Sequence, residues 1–264
     1  YVNENYASQN GGAIYITDSA VEIVNTQISG NRAGKNGGAV YAFGGTVSVE
    51  GTTIESNIAD EFGGGLYSTH GSLSLSASAI LNNTAAYGGG TYVEGGIAGA
   101  EHVIFKNNRA NKGHGGGYCI GNATGTVEFN DVVLVNNYAE GHGGGGYAFN
   151  SAMALITSLI SHNRGRNGGG LCFVLSKDCI LRQTNVTMNV ALNKGGGVAV
   201  VDSSLFVHAS LLLENTGGSG GGIVVLKNSS VLKVNNSVLL SNNASNYGRA
   251  VYTESYVRVL ITNA

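Results

Sequence analysis

One pattern constrains this chain more than any other: an asparagine that returns about every 26 residues, always in the same setting. It stands at Asn5, Asn31, Asn57, Asn83, Asn108, Asn137, Asn163, Asn189, Asn215 and Asn242. Three residues before each lies an apolar side chain (Val2, Ile28, Ile54, Ile80, Phe105, Leu134, Ile160, Val186, Leu212, Leu239), and two after it lies Ala or Gly. A glycine cluster follows, opening by this alignment at Gly11, Gly37, Gly63, Gly88, Gly115, Gly144, Gly168, Gly195, Gly220 and Gly248. Ten matches at a nearly fixed period mean that the whole chain, residues 1–264, is one repeat architecture and one domain.

Within a period the apolar residues alternate with a step of two, as in Ile14 and Ile16, Val21 and Ile23, and Val47 and Val49. Such spacing shows one face of a strand inward. Glycine triplets leave no segment able to hold a long helix. The expected fold is all-β: a parallel β-helix of about ten ~26-residue coils, each with three short strands. At about 4.8 Å per coil the rod is on the order of 45 Å long. The asparagines are expected to stack their amides from coil to coil at a corner whose backbone turns left-handed, with Gly-Gly supplying positive φ before the next strand. A leucine-rich repeat has a similar period, but its return segment does not consist of glycines followed by two more alternating strands.

The strings "NYASQNGGAIY" at 5–15 and "NRAGKNGGAVY" at 31–41 resemble the repeats of chlamydial polymorphic outer membrane proteins, which carry paired GGA[ILV] and FxxN motifs. The match runs along nearly all of the chain. It departs in detail: Phe precedes the ladder asparagine only at Phe105, and GGA becomes GGG in the third through ninth clusters. The resemblance implies a right-handed β-helix displayed outside the cell, at a cell surface, and used for adhesion.

Composition narrows the partners. A formal net charge of -2, with only 11% charged residues, supplies no field for nucleic acid. No apolar run is long enough for a membrane-spanning helix. Cys119, Cys172 and Cys179 are odd in number and lack CxxC spacing, which fits neither a disulfide framework nor a zinc ribbon. No cofactor or metal site is expected.

Many β-helices cleave polysaccharides, so catalysis is the alternative reading. It needs paired carboxylates. Asp18, Asp60, Asp131, Asp178 and Asp202 fall mostly at different phases of the repeat. "GHGGG" occurs twice and brings His114 and His142 to nearly one corner of adjacent coils, with Glu140 nearby. This resembles part of a polygalacturonase signature, without its aspartates. "GGSGG" around Ser219 fits a nucleophile-elbow pattern but has no following helix. No catalytic residue is assigned.

Two surface features remain. With Ile14 and Ile16 inward, Tyr15 points out, and Tyr41, Tyr67 and Tyr92 share its phase. Cys119, Ala148, Cys172, Ala199 and Val224 continue the column, and Tyr252 restores it. Four stacked tyrosines would form an aromatic strip for a surface glycan or a protein receptor, or a stiffening element of the sheet. The corner loops alternate in sign, with Arg32 and Lys35, then Asp60 and Glu61, then Arg109 and Lys112. N-x-[ST] sequons begin at Asn82, Asn122, Asn185, Asn228, Asn235 and Asn243. The chain starts and stops at nearly the same phase of the repeat. The expectation is therefore either continuation in a longer protein or self-association of copies end to end into a filament.

Overall fold

The structure is a computed structural model describing residues 1–254 and 256–264. It is a parallel β-solenoid, of right-handed type, with ten coils. Four ten-stranded parallel sheets run along it. In the first coil, sheet A contains Val2–Asn3, sheet B Tyr6–Ala7, sheet C Ile14–Thr17 and sheet D Ala20–Val24. Alternation alone gives three strands per coil. The fourth is sheet B, which begins just past the ladder asparagine and is only two residues long in the early coils, too short to show a period. It lengthens to Val190–Lys194 and Asn243–Tyr247 in later coils.

Registers are in phase from coil to coil: Val2 opposes Ile28, Ile28 opposes Ile54, and Tyr15 opposes Tyr41. Each inward side chain therefore stacks on its equivalents above and below. A continuous core results, in which Ile28, Val40, Ile54, Leu66, Ile80 and Leu134 are fully buried. Its widest contents lie mid-rod. Phe105 packs parallel to Phe129 with centroids 6.1 Å apart, and Tyr118 meets Phe129 edge-on at 4.9 Å. The Tyr118 hydroxyl, buried with its ring, lies 3.2 Å from Sδ of Met153.

Tyr118 also accounts for an error of phase in the sixth coil. The positive-φ glycine there is Gly143 (φ 65°), one residue before the Gly144 expected from the alignment. The run Gly143–Gly146 contains a fourth glycine because Gly146 is an inward strand position opposite Tyr118. A Cβ on Gly146 would enter the tyrosine ring. The outward residue of that strand is accordingly Tyr147, paired with Cys119 and Cys172, and Ala148 is core.

The asparagine ladder is continuous. Each interior member makes at least four side-chain hydrogen bonds: Asn57 Oδ1 accepts from the backbone N–H and the amide of Asn31. Its Nδ2 donates to the Ile28 carbonyl and to Asn83 Oδ1, all at 2.9–3.0 Å. The left-handed corner residue is not the ladder asparagine but the one before it. Glu4, Gly30, Ser56, Asn82, Asn107, Asn136, His162, Met188, Glu214 and Ser241 all have positive φ. Ladder asparagines are there for the amide, which from Asn31 to Asn242 is buried and paired.

Hydroxyls build similar ladders at two other corners. Thr26 N–H donates to Thr52 Oγ1, Thr52 to Ser78, Ser158 to Thr184, Thr184 to Ser210 and Ser210 to Ser237. At the corner between sheets C and D, Ser151, Ser176, Ser203 and Ser230 do the same. Among the described residues, no helix is long and apolar enough to cross a membrane.

Candidate functional site

Sheet C turns its outer face to the surface along a column that begins Tyr15, Tyr41, Tyr67, Tyr92. Their registers are exact partners across three strand pairs. Successive rings stack with centroids 5.0, 5.2 and 5.6 Å apart and interplanar angles of 9–16°. Tyr15 is 59% exposed, and the other three are half-buried. Burial, then the neighbouring Tyr15, raises the Tyr41 phenol pKa, and burial likewise leads the rise at Tyr67 and Tyr92. The phenols of Tyr41, Tyr67 and Tyr92 are therefore neutral donors. The pleat thus has the orientation that the alternation of Ile14 and Ile16 predicts.

A second column runs beside the first. It holds the residue preceding each positive-φ glycine: Asn10, Asn36, Phe62, Tyr87, His114, His142, Asn167, Lys194, Ser219 and Tyr247. These side chains fold over the outer face of sheet C. Phe62 lies 4.8 Å from the Tyr92 ring and 5.4 Å from Tyr87. Where the first column has the small Cys119, His114 covers the gap, stacking on Tyr147 at 4.6 Å and on His142 at 4.8 Å. Farther on, Cys172, Ala199 and Val224 form a separate buried cluster with Tyr147 and Tyr252 against it. The column is therefore aromatic in its first coils, open at Tyr15 and Tyr41 and partly covered by Phe62 at Tyr67 and Tyr92, and it is covered in its later coils.

The histidines have a structural explanation. The second column is another hydrogen-bond ladder: Asn36 N–H donates to Asn10 Oδ1 at 3.3 Å and Lys194 N–H to Asn167 Oδ1 at 3.2 Å. In between, the His142 N–H donates to His114 Nδ1 at 3.0 Å, and Asn167 Nδ2 lies 3.2 Å from His142 Nδ1. His114 Nδ1 thus stands where the amide oxygens of Asn10 and Asn167 stand in their rungs, accepting from the backbone N–H of the next coil. Burial, followed by the proximity of His142, lowers the His114 pKa to about 4, and burial and Arg166 lower that of His142. Both rings are neutral at pH 7. Glu140 turns instead to the Tyr138 hydroxyl, at 2.6 Å.

Other chemical candidates disperse. Cys119 and Cys172 lie on the outer side of sheet C with Tyr147 between them, and Cys179 lies in the core; all three are free thiols. Burial pushes Cys172 and Cys179 up to about 12, and Cys119 higher still, so none is a thiolate. Ser219 is buried in the second column. Glu101 and Asp131 flank His102 at 3.9 and 3.6 Å on an open corner where all three side chains are mostly in water. Among the described residues no group of three or more His, Cys, Asp or Glu is placed to hold a metal ion. Arg32 pairs with Asp60 of the next coil at 2.7 Å, as the alternating corner charges imply. Of the sequons, Asn82, Asn122, Asn185, Asn228 and Asn243 are exposed and Asn235 is half-buried.

Residues 25–42 match the family model described as the Chlamydia polymorphic membrane protein repeat. This chain's repeat is similar to that one. The matched stretch spans the sheet A strand Gln27–Ser29, ladder Asn31, the sheet B strand Arg32–Ala33, the Gly37 turn and Tyr41 of the strip. What the polymorphic membrane protein repeat shares with this chain is thus the corner where the amide ladder, the glycine turn and the outward tyrosine meet. No curated protein and no solved structure matches the chain.

Proposed function

We infer that this chain is a rigid adhesive rod displayed at a cell surface, without a catalytic role, and that it binds through the tyrosine strip of its first four coils. The observation that carries the reading is the column Tyr15, Tyr41, Tyr67 and Tyr92, four aromatic rings in register at 5.0–5.6 Å on the outer face of sheet C. Flat aromatic surface rimmed by phenol hydroxyls suits sugar rings or the apolar patch of a protein. The similarity to the Chlamydia polymorphic membrane protein repeat supports an outer-membrane or cell-surface setting.

Beads coated with the chain should adhere to cultured animal cells, and a Tyr15→Ser/Tyr41→Ser/Tyr67→Ser variant should lose most of that adhesion while melting near the parent. Equal adhesion by the two, or none by the parent, would overturn the reading. Protease shaving of intact cells that make the protein tests display independently: a surface rod is cut without lysis.

A further inference from the structure

Next to sheet C around the coil, the outer face of sheet D carries a second group of residues that the adhesive reading does not use. Strands Cys179–Arg182, Ser204–His208 and Val231–Asn235 are adjacent there. Register places Ile180, Phe206 and Lys233 in one outward column and Arg182, His208 and Asn235 in the next. Phe206 floors two adjoining depressions of about 350 and 410 Å³. Its ring stacks with that of His208, centroids 5.7 Å apart.

Three properties of this face point to a ligand. First, Phe206 is half-buried and presents an aromatic platform beside the polar column of Arg182, His208 and Asn235. Second, Arg182 and Lys233 are exposed cations with no carboxylate in ion-pair range among the described residues, in a chain whose formal net charge is -2. Third, Nδ1 of His208 and Oδ1 of Asn235 are buried with no hydrogen-bond partner among the described residues. Polar groups left unpaired in this way are a standing cost that a ligand rich in hydroxyls removes when the side chains turn to meet it.

We propose that this face of sheet D binds an anionic saccharide. The apolar face of one pyranose lies on Phe206, Arg182 and Lys233 pair with its carboxylate or sulfate, and His208 and Asn235 hydrogen-bond its hydroxyls. The guanidinium offers a planar fork to a carboxylate or sulfate, whereas the ammonium acts as a point charge. The site lies on a different sheet from the tyrosine strip and does not depend on it.

Titration with three hexasaccharides tests the proposal: oligogalacturonate (carboxylate), a heparin fragment (sulfate and carboxylate) and maltohexaose (neutral). At least one anionic oligosaccharide should bind with a Kd below about 1 mM, at least tenfold tighter than maltohexaose, and more weakly as salt rises. Which of the two binds identifies the acidic group. Phe206→Leu, Arg182→Gln and Lys233→Gln should each weaken binding by about tenfold, as truncating a central anchor does. The proposal is overturned if neither anion binds, if maltohexaose binds equally, or if affinity survives Arg182→Gln and Lys233→Gln, two exposed substitutions that leave the fold intact even where Phe206→Leu does not.

Discussion

The backbone N–H of His142 donates to Nδ1 of His114, 3.0 Å away in the preceding coil. Because a backbone N–H can only donate, that imidazole nitrogen must be unprotonated, and the proton of the neutral ring sits on Nε2. The pair therefore acts as a pH-sensitive rung in a ladder otherwise built of amides.

Acid should weaken this rung. Above about pH 6.5 the imidazoles are neutral in both the folded and the unfolded chain, so their contribution to stability is fully present. As pH falls toward about 4, the unfolded chain takes up protons that folded His114 resists, and stability is lost across that window. Below it, His114 is protonated in both states and the loss levels off. Tyr87, Tyr147 and Arg166 face the pair and give a proton no carboxylate partner. A His114→Asn/His142→Asn variant keeps an acceptor at each rung. Its melting temperature should fall by a few degrees less between pH 7.5 and 4.5 than that of the parent; an identical fall would show that the pair does not report pH.

Removing one rung of the main ladder should cost far more. Asn137 accepts from the N–H and the amide of Asn108 and donates to the Phe105 carbonyl and Asn163 Oδ1. Asn137→Ala leaves two buried backbone groups unpaired, which at about 1–3 kcal/mol each amounts to roughly 2–6 kcal/mol. Amide exchange at Asn108 should accelerate by at least two orders of magnitude. Asn5→Ala, at an exposed end of the ladder, should change stability by less than about 1 kcal/mol.

The contrast with what the sequence made legible is instructive at particular residues. The ladder, the coil number and the outward tyrosines all follow from a period that ten copies repeat. One hydroxyl ladder had a signal nearly as regular: Thr26, Thr52, Ser78, Ser158, Thr184, Ser210 and Ser237 each stand five before a ladder asparagine, with Val103 and Val132 interrupting the column. Serine and threonine are so common on strand surfaces that the column does not stand out until the corner is seen to bury it. Gly146 could not be placed because its reason, the Tyr118 ring, lies a full coil away. The group on sheet D was invisible because Phe206, His208 and Asn235 share no repeated residue type; only strand register brings them together.

Glycines divide into those that set a backbone angle and those that allow contact between coils. Gly64, the second of its cluster, lacks positive φ, but a Cβ there would run into the Gly89 carbonyl and the Thr84 backbone of the next coil. Gly99, on the outer side of sheet D, has only the Glu128 carbonyl near, at 3.7 Å. Gly64→Ala should therefore destabilise by about 1–3 kcal/mol through forced separation of coils. Gly99→Ala should stabilise by about 0.5–1 kcal/mol, since it limits the unfolded chain at no steric cost. Urea unfolding of the two variants decides the matter, and a shift of the same sign in both would refute the distinction.

The corners also store strain that can be relieved. Thr157 turns the corner between sheets D and A at φ 52°. A β-branched residue is poorly suited to left-handed backbone, because its Cβ substituents crowd the following carbonyl. Asparagine already takes the equivalent corner at Asn25 (φ 49°) and Asn236 (φ 47°). Thr157 is exposed and is not a member of the hydroxyl ladder, whose rung in this coil is Ser158. Thr157→Asn should raise stability by about 0.5–1 kcal/mol, within the usual cost of such a conformation, and lift the melting temperature by about 1–3 °C. A fall instead would mean that the threonine methyl packs usefully against its neighbours and that the corner tolerates its backbone without strain.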